Sequence, residues 1–219
     1  MALILGIETA TKNCSVALFE DGIVIAEKER ISDGYTHAEL LTLFIQDVID
    51  SANITLNKVE AVALSIGPGS YTGLRIGTST AKGLCYALDI PLISISTLKA
   101  MAFAMSKNEK SAIFCPMIDA RRMEVFSALY DVNNKQVRGV QADIVDENTY
   151  AEFLVNEIIF FGDGSLKSQE IINHKNAKFI EGIHPSAKNL GILAKAKFEN
   201  KDFEDVAYFE PYYLKDFVA

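Results

Sequence analysis

The sequence predicts an α/β fold that is built twice along the chain. Each half of the 219 residues begins with three strand-like segments and continues with a helix and strand–helix pairs. When the first half is shifted by 111 positions, Glu8 falls on Asp119 and the segment Ala17–Glu20 falls on Ala128–Asp131 without a gap. The two acidic residues each end the first strand of their own half. These observations indicate an internal duplication.

The first half contains the signals of five strands and three helices. The predicted strands are ALILGIE, CSVALFE, GIVIAEKE, VEAVALSI and PLISIS, and the predicted helices are GYTHAELLTLFIQDVIDSA, TGLRIGTSTAKGLCYAL and TLKAMAFAMS. Asp21-Gly22 predicts a hairpin between the second and third strands. Thr36, with Glu39 three positions later, predicts a capping box at the start of the first helix.

The polar segment Lys107–Ser111 marks the predicted boundary between two domains, 1–106 and 107–219, with the last segment packing back on the first. The predicted strands of the second half are AIFCPMID, EVFSALYD, QVRGVQADIV, EIIFFGDG and KFIE. Helices are predicted near Tyr150–Val155, from Leu166 and over SAKNLGILAKAKFEN, the last with Ser186 as its cap.

A Gly-x-Gly-Ser turn links a strand to a helix in both halves, at 67–70 and at 162–165. Gly67 lies 59 positions after Glu8, but Gly162 lies only 43 after Asp119, so the second half is 16 residues shorter here. The pattern is typical of the duplicated ribonuclease-H-like fold of actin, sugar kinases and heat-shock ATPases. In that fold two lobes face each other across a cleft, and here the second lobe would be truncated.

Composition excludes several classes of protein. The formal net charge is −8 and no run of Lys and Arg builds a basic patch, so nucleic-acid binding by this chain alone is not expected. The three cysteines show no CxxC spacing, which favours buried thiols in a reducing compartment. No signal peptide or membrane span is predicted, and the expected location is the cytoplasm.

The stretch IGPGSYTGLRIG, from Ile66 to Gly77, fits no standard phosphate or nucleophile motif. A P-loop, a Rossmann turn and a G-x-S-x-G elbow each require residues that this stretch lacks. Backbone amides at a helix start still attract anions, so Gly67, Gly69, Ser70 and Thr72 are weak candidates for a phosphate contact. The alternative is a tight turn that lets a glycine-bearing helix approach a neighbour closely.

The helix from Thr36 carries more apolar surface than one sheet can cover. Its apolar positions span roughly 240°, against ~100° for the stripe of a surface helix. These positions are Leu40, Leu41, Leu43, Phe44, Ile45, Val48, Ile49 and Ala52. The surplus must pack against another element of the chain, for which the glycine helix is a candidate, or against another chain.

Metal and acid chemistry find little support in the sequence. Leu41 stands four positions after His37, where a second helical ligand would be needed, so we expect no metal and place His37 at the surface or an interface. Glu8 and Asp119 would face the cleft of the duplicated fold, where kinases of that fold use acids to hold Mg²⁺ and phosphate. The alternative for Glu8 is a solvated strand end.

Several motifs together carry a family resemblance. The segments LGIETATKNCSVALF, HAELL, IGPGSYTGLRIGTSTAKGL, IDARRMEVFSALYD and PYYLKD resemble the bacterial TsaB (YeaZ) family over most of the chain. Two motifs depart from that family: Glu8-Thr9-Ala10 replaces the usual Asp-Thr-Ser, and His37-Ala38-Glu39 replaces His-Ser-Glu. These departures weaken a nucleotide-handling role for the first loop.

The resemblance implies a partner protein for tRNA modification. Members of this family act with the related catalytic protein TsaD and the ATPase TsaE, which attach a threonylcarbamoyl group to the adenosine next to the anticodon in tRNAs that read codons starting with A. ATP is used by the complex, no cofactor is assigned to this chain, and tRNA is bound mainly through the complex. TsaD holds a metal with two helical histidines, and Leu41 stands at the second position here.

The resemblance also implies that two N-terminal helices pair with TsaD, or with a second copy when the protein is alone. The residues expected at this interface are His37, Leu40, Leu41, Phe44, Ile45, Val48, Gly73, Leu74, Arg75, Gly77, Thr80 and Ala81. Two other functions remain open, a small ATP-binding enzyme of the actin-like fold and a glycoprotease-type peptidase.

Overall fold

The computed structural model describes residues 1–34, 36–107 and 112–215. Two compact units are formed, one from Met1–Thr97 with Pro185–Tyr212 and one from Leu98–His184 with the chain from Tyr213. Residues 108–111 of the predicted boundary segment lie outside the described residues.

The first unit is built on a five-stranded sheet in the order β3-β2-β1-β4-β5. Its strands are β1 (Leu3–Glu8), β2 (Asn13–Glu20), β3 (Ile23–Ile31), β4 (Ala61–Ser65) and β5 (Leu92–Ile95). The strands β1, β2 and β3 form an antiparallel meander, and β4 and β5 run parallel to β1. The helices α1 (His37–Ser51) and α2 (Tyr71–Leu88) follow β3 and β4.

The second unit repeats this arrangement. Its strands are β6 (Ile113–Asp119), β7 (Glu124–Tyr130), β8 (Gln136–Ile144), β9 (Ile158–Phe161) and β10 (Ala177–Ile180). Their order, β8-β7-β6-β9-β10, reproduces the order of the first sheet strand for strand. Gly67 and Gly162, which open the two Gly-x-Gly-Ser turns, adopt φ angles of 107° and 105°. The predicted duplicated fold is confirmed.

The remaining helices are α3 (Thr97–Ser106), α4 (Ser165–Gln169) and α5 (Gly191–Glu199), with 3₁₀ turns at Leu56–Lys58 and Ala187–Asn189. The predicted hairpin at Asp21-Gly22 is present, and both residues have positive φ angles. In the core of the first unit, α1 packs Leu41, Phe44 and Val48 against apolar side chains of the sheet.

Three local predictions are wrong. Thr36 begins α1 without a side-chain cap, because its backbone, with φ −107° and ψ 14°, is not in the extended conformation of a capping residue. Residues 150–155 form successive turns and not a helix. The predicted last helix is divided into a 3₁₀ turn and α5, and Ser186 makes no side-chain cap, while its hydroxyl donates to Glu29.

Candidate partner-binding site

The glycine-rich turn before α2 is held by its own neighbours. The N–H of Gly67 donates to Thr97 Oγ1 at 3.0 Å, and the N–H of Ser70 donates to the carbonyl oxygen of Ala10 at 2.6 Å. Ser70 Oγ caps α2 by accepting from the N–H of Gly73 at 3.2 Å. These groups are engaged inside the protein, and the Ala10 carbonyl would repel a phosphate. The turn is therefore a close-packed helix start.

The glycines of α2 are required by the loop that follows β1. A Cβ atom at Gly73 would lie 2.1 Å from the carbonyl oxygen of Thr9, and one at Gly77 would lie 2.3 Å from Thr9 Oγ1. A Cβ atom at Gly69 would likewise lie 2.3 Å from the carbonyl oxygen of Ala10. The glycines thus bring the turn and α2 against the loop at Thr9-Ala10.

His37 lies in the core, and its predicted position at the surface or an interface is wrong. The side chain is 0% exposed, and Nε2 lies 2.7 Å from the carbonyl oxygen of Thr11. Burial lowers the pKa of its imidazole, partly opposed by the Thr11 contact. His37 therefore fixes the start of α1 to the same loop that receives α2.

Glu8 is buried and is not the solvated strand end that the sequence left open. Its side chain accepts a hydrogen bond from the N–H of Ala10 at 2.6 Å and another from Ser65. Ser65 Oγ lies 2.6 Å from Thr97 Oγ1. Burial raises the pKa of Glu8 to about 7. The carboxyl group is thus directed into the first unit.

Asp119 ends β6 in the second unit and is exposed, but its carboxylate is already paired. Lys167 Nζ lies 2.5 Å from Asp119 Oδ1, and the N–H of Arg121 donates to the same oxygen at 2.7 Å. The N–H of Asp119 donates to Asp163 Oδ1 at 3.0 Å. In the described part of the chain, no three His, Cys, Asp or Glu side chains are grouped to hold a metal ion.

Most residues predicted at the helix interface are internal to the first unit. Nine of the twelve are buried, namely His37, Leu41, Phe44, Ile45, Val48, Gly73, Leu74, Gly77 and Ala81. Leu40 and Thr80 are half-buried, and Arg75 is exposed with its guanidinium over the ring of Tyr71. The surplus apolar face of α1 is thus largely covered by the unit itself, and only three of these side chains can reach a partner.

The exposed faces of α1 and α2 carry a different set of residues. Leu43 on α1 is 59% exposed and Tyr86 on α2 is 87% exposed. Ser79, Gly83 and Ala87 form an exposed row of small residues at intervals of four. Apart from the adjacent residues and the nearby backbone of α2, no heavy atom of the described residues lies within 4 Å of a Cβ built at Gly83. Leu43 is one of the apolar positions of α1 from which the sequence predicted an interface. No sequence pattern singled out Tyr86.

The fold and the site define a class of protein with two ribonuclease-H-like units, a glycine turn filled by its own loop and an exposed helix pair. A family model described as "TsaD: tRNA N6-adenosine threonylcarbamoyltransferase" matches residues 34–219. Proteins named "tRNA threonylcarbamoyladenosine biosynthesis protein TsaB" match nearly the whole chain. The one from Escherichia coli K12 is 30% identical over 99% of this chain and 96% of its own. The chain belongs to the TsaB (YeaZ) branch of this family.

Other comparisons give the same family by sequence or the same fold by structure. The TsaB protein of Bacillus subtilis strain 168 is 29% identical over 97% of this chain and 93% of its own. The solved structure of YeaZ from Pseudomonas aeruginosa covers 98% of this chain and 100% of its own, with a TM-score of 0.86 and 24% identity. The activator of 2-hydroxyisocaproyl-CoA dehydratase from Clostridium difficile, solved with ADPNP, shares the fold with a TM-score of 0.52 and 10% identity. The match covers 93% of this chain and 98% of the activator.

No helix in the described ranges is long and apolar enough to cross a membrane.

Proposed function

We propose that the chain takes part in the biosynthesis of threonylcarbamoyladenosine in tRNA as a non-catalytic subunit. It would act with a TsaD-type protein and a TsaE-type ATPase, which transfer the threonylcarbamoyl group to the adenosine next to the anticodon. The observation that carries the proposal is the match to proteins named TsaB over 99% of this chain.

The geometry supports a role without chemistry of its own. Catalysis of phosphate transfer in this fold would need free carboxylates and a turn that is open to an anion. Here Glu8 is directed inwards, Asp119 is paired with Lys167, and the glycine turn is closed by Ala10. The residues that could have formed such a site are thus used to hold each unit together.

The exposed faces of α1 and α2 are the proposed contact for TsaD, or for a second copy in its absence. Aromatic and large apolar side chains that stand exposed often anchor protein interfaces. The small residues Ser79, Gly83 and Ala87 would let a partner helix approach closely. Gly83 destabilises a helix by on the order of 1 kcal/mol relative to alanine, and no close packing among the described residues offsets this cost.

Light scattering tests this proposal on the protein alone and mixed with a TsaD partner. We expect a homodimer that gives way to a one-to-one heterodimer. Reconstituted tRNA modification should require this chain and should not proceed with the partner proteins alone. A chain that remains monomeric in both cases, or modification that proceeds without it, would contradict the proposal.

Substitutions on the exposed helix faces locate the contact. Leu43→Glu and Tyr86→Ala should weaken association roughly tenfold or more, because buried anchors at interfaces contribute over 1 kcal/mol each. Ile144→Glu and Leu166→Ala are matched controls, since these side chains are 75% and 51% exposed on elements of the second unit. Leu41 and Gly77 are unsuitable probes, because both are buried and their substitution would disturb folding.

The ATP-binding alternative is tested by calorimetry on the isolated chain. The shared fold with the ADPNP-bound activator is the only observation that favours it. ATP hydrolysis by the isolated chain that is lost in Glu8→Gln would support an independent enzyme. If the wild type gives no heat of binding with ATP, the ATP-binding alternative is contradicted. The peptidase alternative is tested separately by metal analysis of the pure protein.

A further inference from the structure

The tip of the hairpin between β6 and β7 presents two adjacent arginines in an unusual conformation. Arg121 and Arg122 are both exposed and have φ angles of 70° and 50°. The left-handed region is unfavourable for every residue with a Cβ atom, and hairpin tips that need it normally use Asn or Gly. Two successive arginines there are therefore costly for a turn that serves only to reverse the chain.

Lys167 holds the tip in this conformation. Its ammonium group, reaching from α4, donates to Asp119 Oδ1 at 2.5 Å and to the carbonyl oxygens of Arg122 and Glu124 at 2.7 Å each. An ammonium group has three donors, and all three are used within the tip. The backbone that carries the two guanidinium groups is thus preorganised before any ligand arrives.

The carboxylates around the tip are occupied by other groups. Asp119 accepts from Lys167, Glu124 is paired with Lys215, and Asp163 accepts the N–H of Asp119. Within the described residues, the side chains of Arg121 and Arg122 make no hydrogen bond or ion pair. Two guanidinium groups are therefore left available on one rigid turn of a chain with a net charge of −8.

We propose that Arg121 and Arg122 form a contact for phosphate groups. The planar fork of a guanidinium matches phosphate oxygens in a bidentate manner. A ligand that offers a single carboxylate would gain little binding free energy at such an exposed site. A ligand with several phosphates contacts both arginines and releases counterions. The phosphates come from an RNA backbone or from a nucleotide, and the RNA source rests on the function proposed above.

Equilibrium binding of a labelled tRNA transcript and of labelled ATP, each over a series of salt concentrations, is measured with the full chain alone and in complex with a TsaD-type partner. The double variant Arg121→Gln/Arg122→Gln should weaken tRNA binding about tenfold or more. It should also reduce the slope of log K against log salt by about 1.4–1.8, the value for two phosphate contacts. The control Arg30→Gln/Lys58→Gln removes two exposed positive charges from the first unit.

Two further variants separate geometry from charge and from folding. Arg121→Lys/Arg122→Lys keeps the positive charges but loses the planar guanidinium groups. Its affinity for the ligand should therefore lie between those of the wild type and the glutamine variant. Arg121→Asn/Arg122→Gly suits the left-handed backbone and should raise the melting temperature while losing the binding. This variant shows that a loss of binding does not come from misfolding.

The outcomes discriminate between the ligand sources. Loss of tRNA binding beyond the control supports the RNA source, and loss of ATP binding with tRNA binding unchanged supports a nucleotide. A wild type that binds neither, or a double variant that behaves like its control for both ligands, overturns the proposal. A chain that binds phosphate here but does not support tRNA modification contradicts only the proposed function.

Discussion

Glu8 is a buried acid whose hydrogen-bond donors, within the part of the chain that the structure describes, are neutral. Ser65 and the N–H groups of Ala10 and Thr9 lower the pKa of its carboxyl group, but burial outweighs them and raises it to about 7 from an ordinary 4.5. The ionised form is thus disfavoured in the folded protein. Glu8 also raises the pKa of the nearby thiol of Cys14, after the larger effect of burial, to about 11.

This carboxyl group should make the stability of the first unit depend on pH. Between pH 4.5 and 7 the unfolded chain loses the Glu8 proton while the folded chain keeps it, so stability falls as pH rises. Across this window, the free energy of unfolding of the wild type should fall by about 3 kcal/mol relative to that of Glu8→Gln. Above pH 7 the difference between the two proteins should stay constant. Urea unfolding of both proteins at several pH values measures the difference, and a constant difference would show that Glu8 does not titrate there.

Single residues also show what periodicity can and cannot reveal. The apolar positions of α1 were identified correctly, but the pattern did not tell which of them the protein covers itself. Leu41 is 1% exposed and Leu43 is 59% exposed, although both lie in the same apolar arc. The difference arises because Leu43 lies roughly 200° around α1 from Leu41 and so faces away from the sheet that buries Leu41.

At the scale of elements, the hairpin of β7 and β8 encloses a polar cluster. Arg138 and Asp143 on β8 form a bidentate ion pair, with side chains that are 12% and 7% exposed. Ser127 on β7 donates to Asp143 Oδ2 at 2.5 Å, and the hydroxyl of Tyr150 donates to the same oxygen at 3.1 Å. Each member has partners, so the cluster fixes the register of the hairpin.

Removing one partner of this pair should be strongly destabilising. Asp143→Asn leaves the Arg138 charge half-buried without its carboxylate, and we expect the free energy of unfolding to fall by about 3–5 kcal/mol. Glu157→Gln breaks the exposed pair with Lys178, where the cost should stay below about 1 kcal/mol. Denaturant unfolding compares the two variants, and equal losses would mean that the buried pair contributes no more than a surface pair.

The same cluster explains why a helix was predicted and turns were found. The segment Tyr150–Val155 has helical spacing, but a six-residue helix has little stability of its own. Tyr150 is 1% exposed and binds Ser127 and Asp143, so tertiary contacts decide the local conformation. Longer elements such as α2 and the strands β6 and β7 were predicted well, because their patterns are long and agree with their packing.

At the scale of the whole molecule, the sequence predicted the duplication because two kinds of landmark repeat together. Acidic residues end β1 and β6, and glycines with nearly equal φ angles follow β4 and β9. The association of residues 185–212 with the first unit depends on contacts that no local pattern encodes. Ser94 donates to Glu204, 110 positions away, and Asn13 donates to the carbonyl oxygen of Pro185, 172 positions away.

Glu29 on β3 is the centre of the contact that fastens this returning segment. Its carboxylate accepts hydrogen bonds from Ser186 at 2.5 Å, from Ser15 and Asn13 at 3.3 Å, and pairs with Lys188 at 3.0 Å. Burial raises the pKa of Glu29, but the hydrogen bonds from Ser186, Lys188 and Asn13 outweigh it and hold the pKa below its ordinary value of 4.5.

Glu29→Gln should therefore loosen the returning segment without unfolding the unit. Hydrogen exchange at the amides of Ala187 and Leu190 should become about fivefold faster, which corresponds to roughly 1 kcal/mol at a half-exposed pair. Asp33→Asn is the control, since Asp33 is exposed, follows the same strand and makes no hydrogen bond or ion pair within the described part of the chain. The lowered pKa of Glu29 means that its stabilising contribution is lost on acidification. As the pH falls below 4.5, the exchange rates of the wild type should therefore approach those of Glu29→Gln. Equal exchange in both variants at neutral pH would mean that the segment is held by its apolar contacts alone.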